Sequence, residues 1–72
     1  MAASEKQKQI GRKLFALRRV MKLDLETAAM AYGVSERTVQ AYEKGERIPS
    51  DPVKKRISNL YHKSVDDIFF AD

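Results

Sequence analysis

The sequence predicts an all-α domain, a compact bundle of five short helices around a central helix-turn-helix. Three observations carry this. Apolar residues return at the three-and-four spacing of a helical face, serines, aspartates and glycines stand where helices start and stop, and no stretch alternates with period 2 for long enough to make a strand.

Ile10, Leu14, Leu17 and Met21 fall at i, i+4, i+7 and i+11, which puts them on one face of a first helix over roughly residues 5–21. Asp24 follows Leu23 and can cap a second helix, whose Ala28, Ala29 and Tyr32 form a small inward face before Gly33 ends it. Ser35 is a good cap for a third helix. In that helix Val39 and Tyr42 point inward, and Gly45 stands where a glycine accepts the left-handed conformation that closes a helix. The stiff connector Ile48-Pro49-Ser50-Asp51-Pro52 leads to a fourth helix capped by Ser50 or Asp51, with Val53, Ile57, Leu60 and Tyr61 on its buried face. A last short helix starts at Ser64. It carries Asp66 and Asp67 in its first turn, where the helix dipole favours acids, and Val65, Ile68 and Phe69 inward.

The 72 residues are expected to form a single domain over 1–72, with a short N-terminal extension at 1–5 and the motif at about 24–45. A core of this size supplies only about 3 to 5 kcal/mol, so association with a second copy or another protein is expected. The absence of cysteine excludes a disulfide framework and a thiolate metal site. No apolar run approaches the roughly 18 residues that span a bilayer, and no secretory leader opens the chain, so a soluble, cytoplasmic protein without a membrane partner is expected.

Net charge is +4 with a pI near 9.6, which makes a polyanionic partner plausible, but the distribution is uneven. Before residue 23 seven basic residues face Glu5 alone, whereas residues 24–47 hold Arg37, Lys44 and Arg47 against Asp24, Glu26, Glu36, Glu43 and Glu46. The positive charge therefore lies outside the motif.

Two central helices joined by a short glycine turn make a helix-turn-helix. From Ile10 to Phe70 the chain resembles the Cro/CI-type (XRE) helix-turn-helix domains of phage and bacterial repressors, the lambda-repressor-like fold. "IGRKLFALRR" matches the first helix, "LDLETAAMAYGVSERTVQAYEKGERIP" the motif and "SVDDIFF" the end. Gly33-Val34-Ser35, Thr38-Val39 and Tyr42-Glu43 with Gly45 and Pro49 make this signature specific.

The resemblance implies a third helix lying in the major groove of double-stranded operator DNA in a bacterial host cell. Ser35, Glu36, Arg37 and Ala41 would face the bases, Thr38 and Gln40 would stand beside the backbone, and Arg47 and the amides near Lys44 would meet phosphates. Arg37 could grip guanine O6 and N7 through its fork, a contact worth about 1 to 3 kcal/mol of discrimination. The resemblance also implies an internal pair between Arg18 and Glu43, which gives Glu43 a purely structural role.

Departures from the pattern cluster on the DNA-facing surface. Leu25 replaces the usual glutamine that opens the second helix, Glu46 stands where lysine is frequent, and Glu36 could accept only from a cytosine amino group. Phe15 and Met30 put apolar groups where polar ones are usual. Each lost phosphate contact removes a salt-dependent increment of affinity. Leu25, Glu36, Phe15 and Met30 are therefore candidate contacts for a protein partner, a basic one.

Enzymatic readings find little support. His62, Ser64 and Asp66 lie close together, but a lone histidine at a helix end is most often a solvated or capping residue, and one histidine without cysteine builds no usual zinc site. No glycine-rich phosphate loop is present. Neither an enzyme nor a cofactor or small-molecule substrate is expected. Two functional classes stay open: a transcription regulator of a phage or mobile-element switch that binds its operator as a homodimer, and a modulator or antirepressor that forms a hetero-complex with another repressor.

Overall fold

The computed structural model describes residues 4–70. Four α-helices follow one another, α1 (Glu5–Val20), α2 (Leu25–Tyr32), α3 (Glu36–Glu43) and α4 (Asp51–Tyr61), and a π-helical turn at Asp66–Phe70 closes the chain. The described residues hold no strand. The body measures 28 × 24 × 22 Å.

Caps explain most of the boundaries. Ser4 and Gln7 close a capping box, the Ser4 hydroxyl accepting from the Gln7 amide at 3.1 Å while the Gln7 side chain accepts from the Ser4 amide at 3.1 Å. The helix thus takes in the end of the expected N-terminal extension. Asp24 accepts from the Thr27 amide at 2.8 Å and Ser35 from the Thr38 amide at 3.1 Å, as their positions in the sequence suggest. Ser50 occupies the cap of α4 without a side-chain hydrogen bond, and Pro52 stands in the first turn. His62 ends α4 in the left-handed conformation, exposed, in the capping role expected of it. Ser64 accepts from the Asp67 amide at 3.0 Å, so the last element starts where expected but is wound as a π turn.

Met21 departs from its expected inward position. α1 ends at Val20, Met21 takes a non-helical cap conformation and Lys22 turns left-handed, so Met21 leaves the apolar stripe and is exposed. The core comprises Ile10 and Leu14 of α1, Ala28, Ala29 and Tyr32 of α2, Val39 and Tyr42 of α3, Val53, Ile57 and Tyr61 of α4, and Ile68 and Phe69 of the closing turn. Leu17, Leu60 and Val65 are only half-buried around it. α3 packs against both α1 and α2, α4 packs against α2, and the closing turn packs against α1.

Two polar ties join α2 to α4. The hydroxyls of Tyr32 and Tyr61 share a hydrogen bond of 2.5 Å inside the core, their rings edge to face with centroids 6.2 Å apart. Arg56 donates to the Tyr32 carbonyl at 3.1 Å, placing a cation at the end of a helix whose own last turn has none. Burial pushes the Tyr32 and Tyr61 phenols above their usual range, because the phenolate would be desolvated. The folded state then holds protons that the unfolded chain releases once pH passes about 10, so this stability is complete below about pH 10 and is lost as pH rises further. The urea midpoint should fall between about pH 9 and 11 and fall less in Tyr32→Phe/Tyr61→Phe. An equal fall in both proteins would rule out these phenols as the cause.

Candidate nucleic-acid interface

α3 is amphipathic in the simplest way, with Val39 and Tyr42 buried and Arg37, Gln40 and Lys44 exposed at i, i+3 and i+7. Gly33 adopts φ 75° and Gly45 φ 78°, so both turns bracketing α3 use a conformation that side chains disfavour. Ser35 and Thr38 are engaged with each other at the N-terminus, their hydroxyls 2.9 Å apart in addition to the cap bond. Ala41 and Thr38 are half-buried, whereas Glu36 and Arg37 project from the first turn and Arg47 lies exposed beyond Gly45.

The acids divide into three kinds. Glu43 is the partner of Arg18: the Arg18 Nε donates to Glu43 Oε2 at 2.7 Å and its Nη2 to Oε1 at 3.0 Å. The two side chains are 11% and 8% exposed, so the pair that the resemblance implied is nearly buried. Arg18 also donates to the Leu23 carbonyl at 2.9 Å, which ties the α1–α2 turn to the same point. The Glu43 hydrogen bond raises the Arg18 pKa against the opposing effect of desolvation. Asp24, Glu26 and Glu36 stand at helix N-termini, where the dipole stabilises them. The Thr27 amide lowers the Asp24 pKa accordingly. Nothing in the structure explains Glu46.

The apolar departures do not form one patch. Leu25 is half-buried against the core and shares a shallow depression of about 270 Å³ with Phe15, Arg18, Gln40, Glu43 and Lys44. Phe15 is 43% exposed, and the guanidinium carbons of Arg18 and Arg19 each stand 5.5 Å from its ring centre. Met30 lies outside this depression at 78% exposure, and Glu36 is one turn before Gln40 on α3. Sequence reasoning missed the approach of α1 to α3 at Gly11, where an added Cβ would stand 2.7 Å from the Tyr42 carbonyl oxygen and closer still to that of Glu43. A glycine inside an otherwise good amphipathic helix was the signal for it.

Residues 14–68 match the helix-turn-helix family. The chain belongs to that family, in its Cro/CI (XRE) type. This places the helix-turn-helix protein among the DNA-binding regulators of the XRE type. Its fold is similar to that of the restriction-modification controller protein C.AhdI from Aeromonas hydrophila, with a TM-score of 0.82 at 23% identity over 92% of this chain and 100% of that one. It is also similar to the DNA-binding domain of BldD, with a TM-score of 0.75 at 26% identity over 94% of this chain and 99% of that one. No curated protein matches the sequence. No helix among the described residues of this helix-turn-helix protein is long and apolar enough to cross a membrane.

Proposed function

We propose that this helix-turn-helix protein regulates a phage or mobile-element genetic switch by laying α3 in the major groove of operator DNA, one copy in each half-site. The observation that carries the reading is the exposed row Arg37, Gln40 and Lys44 on a helix whose other face is locked by Val39, Tyr42 and the Arg18–Glu43 pair. Likeness to a domain described as DNA-binding supports it. A homodimer would set the two α3 helices about 34–36 Å apart, one turn of duplex. A crevice of about 300 Å³ in which Ala16, Leu17 and Ile68 are rimmed by Lys13, Lys63 and Asp67, with Val20 exposed one turn on, offers a surface for such self-association.

On a duplex selected from a randomised pool, Arg37→Ala should lose about 1 to 3 kcal/mol of discrimination at one base pair. Arg47→Ala should instead weaken all sequences alike and flatten the salt dependence. Competition titrations at fixed salt distinguish the two. Equal, sequence-independent losses would remove Arg37 from base reading.

A second reading is favoured by the depression beside α3. There Phe15 and Leu25 offer an apolar seat to a helix of a partner repressor that this protein would capture, and the acids at the starts of α2 and α3, outside the depression, offer charge to its basic residues. Leu25→Gln/Glu36→Gln should then strengthen DNA binding and weaken capture of the repressor encoded beside it, both measured in one buffer. Unchanged values for both affinities would exclude this face as the interface.

A further inference from the structure

The acidic tilt of residues 24–47 raises the question of where attraction for phosphates originates, and the packing of α1 supplies a source. Gly45, directly after α3, lies on the first turns of α1: a Cβ there would be 2.9 Å from the Lys8 α-carbon and 3.1 Å from the Gln7 carbonyl carbon. Gly11 meets the last carbonyls of α3, and Arg18 meets Glu43. α1 therefore packs, through Lys8, Gly11 and Arg18, against the C-terminal end of the recognition helix and the turn that follows it.

Lys8, Arg12, Phe15 and Arg19 fall at i, i+4, i+7 and i+11, one stripe of α1. Phe15 shows which way the stripe faces, because its ring lines the same depression as Gln40 and Lys44. Arg12 and Arg19 are exposed and Lys8 is half-buried, while the Phe15 ring holds the Arg19 guanidinium by a cation–π contact. At the start of α2, by contrast, the Asp24 carboxylate already takes the Thr27 amide, Glu26 sits in the first turn and Leu25 replaces a polar side chain. That helix start repels anions.

We infer that Lys8, Arg12 and Arg19 of α1 form a second anchor for the sugar-phosphate backbone of duplex DNA, in place of the contact that the start of α2 no longer makes. The inference rests on the operator reading and names the residues that supply its electrostatic part. Duplex DNA is the fitting partner because Phe15 of the stripe lines one depression with Gln40 and Lys44 of the exposed row of α3, so that one polyanion can meet both helices. A membrane surface would need a broad apolar face, and the stripe's apolar content is Phe15 alone.

Each phosphate contact contributes a slope of about −0.9 to the dependence of log affinity on log salt. Arg12→Gln/Arg19→Gln should therefore flatten that slope by about 1.8 on the selected duplex, with base preference unchanged. The control Lys54→Gln/Lys55→Gln removes the same charge from α4, and should leave the slope as in wild type. A slope unchanged in the α1 variant, or flattened equally in the control, would overturn the inference while duplex binding and Arg37-dependent preference persist. Failure of the wild-type protein to bind any duplex would overturn the operator reading and the inference with it.

Discussion

Glu43→Ala is expected to remove about 3 to 5 kcal/mol of folding stability, close to all that a core of this size provides. The mechanism is the stranding of Arg18. Its guanidinium would keep the Leu23 carbonyl but lose both carboxylate oxygens in a site where the side chain is only 11% exposed. A cation without its counter-charge there bears a desolvation cost that its remaining bond to the Leu23 carbonyl does not offset. Circular dichroism should show a chain largely unfolded at ambient temperature. A urea midpoint equal to that of wild type would mean that the pair is solvated and the geometry at α1 and α3 is wrong. Replacing both members, as in Arg18→Met/Glu43→Leu, should be far milder, because it removes both charges and keeps the volume. The pair's contribution lies chiefly in being complete.

Gly11→Ala is expected to destabilise the protein by about 1 to 3 kcal/mol, against the sign that helix propensity alone assigns. Alanine in a helix interior is favoured over glycine by about 0.5 to 1 kcal/mol. Here the added methyl would stand 2.7 Å from the Tyr42 carbonyl oxygen, and the obstructing atoms are backbone, which cannot rotate aside. α3 would have to move away from α1. The same shift would displace Arg37 and Gln40, so specific DNA affinity should fall by more than the loss of folded protein explains. A variant that is as stable as wild type or more so would show that the two helices are not in this contact.

Much of the fold was legible because its signals are local. Asp24 and Ser35 cap the helices that they precede in the sequence, and both hydrogen bonds exist. Ile10, Leu14, Val39, Tyr42, Ile57 and Tyr61 announce buried faces through spacing alone, and all are buried. Met21 was misread because periodicity does not show where a helix stops: one residue past the end, the same spacing points elsewhere. The Ser4 capping box was overlooked although its serine and glutamine stand three residues apart.

The candidate site was legible in part. The exposed row on α3 follows from helical geometry once Val39 and Tyr42 are placed inward. Leu25 and Phe15 were singled out for their chemistry, but their meeting in one depression with Gln40 and Lys44, and the separation of Met30 from them, depend on how three helices pack.

The sequence by itself determined the helices, their caps, the inward faces and the family, because each depends on residues within a few positions of one another or on a recognisable pattern. Only the tertiary structure decided what Gly11, Gly45 and Arg56 are for, since each answers to an element distant in the chain: the carbonyls of Tyr42 and Glu43, the backbone of Lys8, the carbonyl of Tyr32. It also decided the charge question. Lys8 and Arg18 of α1 precede the acidic motif in the sequence, yet close packing at two glycines brings Lys8 to the turn after α3 and Arg18 to Glu43, where the separation that matters for electrostatics is through space.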